Sequence, residues 1–102
     1  MFPSTVQVSN LPKVDSFEQK LLVEAIEKSF KRLSERIGEE VFFKINFKEL
    51  RKSGSRTKFV VSVHCSAGKI NIVASEQGWN LVSILQKALR VLEREAAKKL
   101  GK

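Results

Sequence analysis

Between positions 81 and 96, apolar residues fall at Leu81, Ile84, Leu85, Ala88, Val91, Leu92 and Ala96. Steps of three and four lay these side chains along one stripe of a helix. The positions between and beyond them carry Lys87, Arg90, Arg94, Lys98, Lys99 and Lys102, against only Glu93 and Glu95. Such a helix needs an apolar surface to cover, and it leaves a cationic side facing outward. That side is either solvated for solubility or meets an anionic partner. The stretch before it, Lys69 to Ala74, alternates Ile70, Ile72 and Ala74 and reads as a strand leading into a corner at Gly78.

The surface that this helix needs is written earlier in the chain. Thr5 to Ser9 alternates Val6 and Val8 as a short strand. A helix then starts with Ser16 and Gln19 as a capping box, or with the overlapping pair Asp15 and Glu18. Its apolar side is Phe17, Leu21, Leu22, Ala25, Ile26, Phe30, Leu33 and Ile37, and Gly38 ends it. Glu24–Lys28 and Glu27–Lys31 are spaced four apart on its exposed side. Val41 to Leu50 alternates Phe43, Ile45 and Phe47, and Lys58 to Cys65 alternates Phe59, Val61, Val63 and Cys65. Arg51 to Arg56 (RKSGSR) and Ser66-Ala67-Gly68 read as turns between antiparallel hairpins. The expected fold is α+β in the order β-α-β-β-β-α, with both helices on one face of a four-stranded sheet. A crossover through the first helix leaves strands one and two parallel.

At 102 residues the chain is expected to be a single domain over 1–102. It has no apolar run long enough to span a bilayer. Its opening, MFPSTVQVSN, lacks the profile of a secretory signal. Cys65 is the only cysteine, which fits a reducing compartment, so the cytoplasm is expected.

The charge is unevenly spread. Residues 1–50 hold eight Lys/Arg and eight Asp/Glu, whereas residues 51–102 hold eleven Lys/Arg against Glu76, Glu93 and Glu95. The whole net charge of +8 therefore sits in the second half. A polyanion is the implied partner, nucleic acid before a membrane surface.

No catalytic constellation is found. His64 and Cys65 are neighbours on a strand and point to opposite faces, so they cannot form a base–nucleophile pair. One His and one Cys do not supply a structural zinc site. Gly54, Gly68 and Gly78 lack phosphate-loop spacing. No enzyme activity, cofactor, metal or small-molecule substrate is expected. The basic residues recur instead on separate elements: Arg51, Lys52 and Arg56 after strand two, and Lys87, Arg90, Arg94, Lys98 and Lys99 on the last helix. A spread of cations on a rigid frame is what phosphate recognition requires. Trp79 is weighed as a core plug at the strand–helix corner or as a base-stacking residue, with the plug preferred. The outer sheet face, with Phe42, Val60 and Val73, is a candidate surface for a homodimer.

The order of elements, together with Ile72, Ala74, Gly78, Asn80, Leu81, Ile84, Arg90, Lys98 and Lys99, resembles the hibernation-promoting factor and ribosome-associated inhibitor (protein Y) family. The resemblance runs from Val6 to about Lys99. It is to a divergent, short form without the additional C-terminal domain of longer members. The family's Asp and Tyr at the start of helix two would fall on Asn80 and Leu81, and its Ile-Asp pair on Ile84 and Leu85.

The resemblance implies a fold related in shape to double-stranded-RNA-binding domains. It also implies a translation-blocking factor of ribosome hibernation and stress. Such a factor binds the small ribosomal subunit and its ribosomal RNA through basic residues. Arg90 matches a family lysine, and Lys98 and Lys99 match the basic end of helix two. Arg94 matches a basic position only with a one-residue shift. Lys28, Lys31 and Arg32 lie where helix one is often basic; Arg51, Lys52 and Arg56 rest on charge alone. Two alternatives stand beside it: a free double-stranded-RNA-binding module, or a protein-interaction module. The first is disfavoured by Gly78-Trp79-Asn80-Leu81, which opens helix two where that family places lysines.

Overall fold

A computed structural model describes residues 3–100, so Lys102 lies outside the described residues. The elements run β1 (Val6–Ser9), α1 (Ser16–Ile37), β2 (Phe42–Ser53), β3 (Arg56–Ala67), β4 (Ile70–Gly78) and α2 (Leu81–Lys99). The sheet order is β1-β2-β3-β4, with β1 parallel to β2 and the other pairs antiparallel. Order, class and strand sense are those expected from the sequence.

Alternation along the strands builds the core. Phe43, Ile45 and Phe47 of β2, with Val61, Val63 and Cys65 of β3, are buried on one sheet face. Both helices cover that face. Leu22, Ile26 and Leu33 of α1 and Leu85, Ala88, Leu89 and Leu92 of α2 join the same apolar cluster. Phe30 packs edge-on against Phe43 at 5.3 Å between ring centroids. Each large side chain so buried contributes about 1.5–3 kcal/mol of hydrophobic free energy.

Some details differ from the sequence reading. The cap of α1 is Asp15, whose Oδ1 accepts the Glu18 backbone N–H at 2.7 Å, while Ser16 is already helical. The Asp15/Glu18 option wins. Gly38 ends the helix in the left-handed region at φ 77, and its N–H reaches the Ser34 carbonyl. Phe17 is 71% exposed and Leu21 also faces solvent. The buried stripe runs through Leu22, Ile26, Ser29 and Leu33. At 3.6 residues per turn, Leu21 lies about 100° and Phe17 about 140° around the helix from Leu22.

The strands are longer than their apolar alternation suggested. Residues 51–56 are not a six-residue turn. A bulge between Glu49 and Arg51 inserts Leu50, and pairing then resumes as Arg51↔Lys58, Lys52↔Thr57 and Ser53↔Arg56. Only Gly54 and Ser55 turn the chain. Gly54, at φ 62, supplies the positive φ that a tight hairpin of matching twist requires at its first central position. β1 pairs no further than Asn46 and β4 no further than Phe59. Residues 50–58 therefore project as a two-stranded ribbon beyond the four-stranded sheet. β4 likewise continues to Gly78 by pairing with β3, four residues past Ala74.

Candidate nucleic-acid interface

The corner between β4 and α2 organises the cationic surface. Gly78 is the last residue of β4, and a Cβ there would sit 2.7 Å from Ile84 Cγ2. The missing side chain lets the first turn of α2 close onto the strand. Asn80 then caps the helix, its Oδ1 accepting the Ser83 N–H at 2.9 Å. An amide at this position thus does the capping that a carboxylate would do. Trp79, held between strand end and cap, is turned outward rather than plugging the core. It is 37% exposed, and the Arg56 guanidinium lies over its ring, 4.7 Å from the centroid.

Three hollows meet along this side. One of about 490 Å³ lies between the ribbon and the two helix starts, lined by Lys13, Arg56, Phe59 and Trp79 among others. A second, of about 380 Å³, is bounded by Trp79, Asn80, Ser83, Lys87 and Arg90. A third, of about 310 Å³, lies between the helices and is lined by Arg32, Gln86, Arg90 and Glu93. The first two share Trp79 and Asn80; the last two share Gln86 and Arg90. Together they form one open furrow from the ribbon to the α1–α2 groove.

All eleven candidate cations are exposed. The furrow gathers Arg56, Lys87, Arg90 and Arg32. Arg94 and Lys98 continue the exposed stripe of α2 that Lys87 and Arg90 begin, at steps of three and four. Lys98 also meets Glu95 at 3.4 Å, and Lys99 is the last residue of α2. Lys28 and Lys31 sit on α1 outside the furrow lining. Arg51 and Lys52 sit on the ribbon, as strand residues rather than loop residues.

Arg32 does double duty. Its guanidinium donates to Glu93 through Nε at 3.0 Å and Nη2 at 2.8 Å, and the fully buried Ser29 hydroxyl donates to the same carboxylate at 2.7 Å. Burial alone would raise the Glu93 pKa. The bonds from Arg32 and Ser29, with the charges of Arg32 and Arg36, outweigh it and hold the carboxyl below its usual range. Glu93, the one acid lining the hollow between the helices, is thereby kept ionised and paired.

One cation of this surface is not among the candidates that the sequence offers. Lys58 stands directly across the ribbon from Arg51. For Trp79 the structure corrects the preferred core-plug reading and leaves the base-stacking alternative open; its place between a strand-ending glycine and a cap residue was the available signal that it lies outside both elements. On the outer sheet face, Phe42 and Val73 are exposed and Val60 is half-buried, while His64 Nε2 bonds to Asn71 Oδ1. Cys65 is buried, as expected. Among the described residues no His, Cys, Asp or Glu cluster could hold a metal ion, and no helix is long and apolar enough to cross a membrane.

No family model and no curated protein sequence matches the chain. Solved structures do. The protein Y N-terminal domain of Thermus thermophilus matches with a TM-score of 0.67 at 14% identity, over 91% of this chain and 93% of that one. A ribosomal subunit interface protein from Coxiella burnetii matches with a TM-score of 0.67 at 16% identity, over 95% and 98% of the two chains. At such identities the likeness is one of architecture: the chain has the fold of the protein Y N-terminal domain, the fold implied by its sequence resemblance.

Proposed function

We propose that this protein is a ribosome stasis factor of the cytoplasm, which binds the small ribosomal subunit through ribosomal RNA and blocks translation by occupancy, without chemistry. The observation that carries the reading is the α2 surface. Lys87, Arg90, Arg94 and Lys98 are all exposed along one stripe, while Leu85, Ala88, Leu89, Leu92 and Ala96 on the opposite stripe are buried. The helix presents its cations on a rigid support, with the ribbon cations and Arg32 at either end. Phosphate contacts of this kind position a protein on folded RNA by shape and charge. The shared fold with a protein Y domain and a ribosomal subunit interface protein supports the ribosome as the RNA concerned.

The test is sedimentation of the protein with purified ribosomes and separated subunits, wild type against the double variant Arg90→Glu, Lys98→Glu. Saturable pelleting with the small subunit, in competition with messenger or transfer RNA and lost in the variant, is the expected result. Unchanged pelleting of the variant removes α2 as the contact. Retention on bare duplex RNA, with no pelleting on either subunit, supports the RNA-module alternative instead.

A further inference from the structure

We propose that Trp79 is a stacking platform for one unpaired nucleotide, the base lying on the ring and its phosphates meeting Lys87 and Arg90. The proposal deepens the RNA reading above and rests on it. A tryptophan beside a strand-to-helix corner ordinarily finds apolar cover, because aromatic side chains bring large apolar surfaces to a core. Here Gly78 and the Asn80 cap hold the backbone so that Trp79 stays outside the core, 37% exposed. Its ring is shared by two hollows. Arg56 lines only the one toward the ribbon, and its guanidinium covers the ring at 4.7 Å from the centroid. The other hollow, of about 380 Å³, is lined by no second aromatic and no acid: Gln77, Asn80, Ser83, Gln86, Lys87 and Arg90 surround it.

That composition suits a nucleotide. The indole offers a π-face, Gln77, Ser83 and Gln86 offer polar groups to a base edge, and Lys87 and Arg90 offer charge to phosphates. Grooves that hold single strands combine these parts, cations for the backbone and an aromatic ring for a base. A base paired within a helix keeps both faces inside its stack, so away from helix ends only an unpaired one can use the ring. Arg56 adds a cation–π contact on the ring and so holds it in place. The arrangement would let a protein that grips RNA mainly by charge prefer sites where a base is splayed out.

Trp79 is the only tryptophan and the chain has no tyrosine, so intrinsic fluorescence reports on this ring alone. The full chain is titrated with a single-stranded RNA oligonucleotide, an abasic oligonucleotide of equal length and charge, and a long RNA duplex in which terminal base pairs are a negligible fraction. The single strand is expected to quench and shift the emission and to bind more tightly than the abasic strand. The abasic strand and the duplex are expected to bind by charge with little quenching. Trp79→Ala should weaken single-strand binding by roughly 5- to 100-fold while leaving abasic binding unchanged, and Trp79→Phe should fall between.

Equal affinity of wild type for the base-bearing and abasic strands, or binding without quenching, overturns the proposal; quenching by the duplex equal to that by the single strand overturns the requirement for an unpaired base. Failure of the platform is distinguishable from failure of the ribosome reading. In the first case wild type still pellets with the small subunit and Arg90→Glu, Lys98→Glu does not; in the second wild type itself fails to pellet with the small subunit, whatever the fluorescence titration shows.

Discussion

Glu93 of α2 receives both Nε and Nη2 of Arg32 from α1, at 3.0 and 2.8 Å, and so ties the two helices together above the sheet. The same carboxylate accepts the Ser29 hydroxyl, which has no exposure to water. The ion pair itself is partly solvated on the Arg32 side, so its Coulombic part is screened. The buried hydroxyl is the costlier partner to orphan. Glu93→Ala is therefore expected to destabilise the protein by about 2 kcal/mol, or roughly 8–12 °C in Tm, whereas Glu93→Gln keeps an acceptor for Ser29 and loses about half as much. Thermal melts of the two variants check this.

The same residue predicts an acid sensitivity. Its carboxyl is depressed in the folded protein, so its contribution is complete above the unfolded glutamate value of about 4.3 and is lost as pH falls through the folded value. Stability should decline below about pH 4.5, and the decline should be shallower in Glu93→Gln. Urea titrations at pH 7, 5, 4 and 3 read the difference. Parallel curves for wild type and variant would mean that Glu93 is not the group responsible.

Gly78 sets up a second test. A methyl at this position would meet Ile84 Cγ2 at 2.7 Å, and Ile84 is buried in the first turn of α2. A β-branched side chain in a helix has little freedom to move aside. Gly78→Ala should cost about 1–3 kcal/mol through overpacking. Ile84→Ala removes the obstructing methyl, so the double variant should be less destabilised than the sum of the two single ones. Strict additivity in a double-mutant cycle would show that the close approach is not the reason for glycine here.

Cys65 lies fully buried near the end of β3, on the sheet face that the helices cover, and burial pushes its thiol up to about 11. Since the thiolate is the reactive form, the folded protein should resist thiol reagents at neutral pH and react only at the rate of opening. One equivalent should be modified promptly in denaturant. Fast modification of the native protein would contradict the burial.

Alternation in β2 and β3 and the spacing of α2 were strong enough to give class, element order and most of the core from sequence, because each face of those elements is buried or solvated as a unit. The misreadings have local physical causes. Arg51-Lys52-Ser53 has poor strand propensity and looks like loop, yet pairing with β3 carries it past the bulge to Gly54. Phe17 and Leu21 count as apolar in any pattern but point away from Leu22. Ser29 looks like a surface residue until its partner Glu93, sixty-four positions away, is in place. The site was legible as charge and not as shape. That Arg56, Trp79 and Arg90 border one furrow depends on a ribbon, a corner and a helix meeting in space.

Binding should depend steeply on salt. On the proposed reading Arg56, Lys87, Arg90, Arg94 and Lys98 would supply about five phosphate contacts, which gives a log–log slope of roughly −3.5 on single strands and nearer −4.5 on a B-form duplex. Replacing Arg90 by Gln should reduce the single-strand slope by about 0.7. A slope near zero would place the chain among protein-binding modules.

The ribbon makes the sharpest opposition between stability and binding. Arg51 and Lys58 are direct cross-strand partners, and like charges in that position repel. Nothing in the fold requires two cations there; the small loss in stability is intelligible if an anion normally lies across them. Lys58→Glu places an acid opposite Arg51 and should stabilise the free protein by about 0.5 kcal/mol. The same change should weaken binding to ribosomal RNA severalfold and lower its salt slope. Melting the free variant and measuring its RNA affinity give two readings with opposite expected signs. Stabilisation with unchanged affinity would remove the ribbon from the interface and leave the furrow and α2 to carry it.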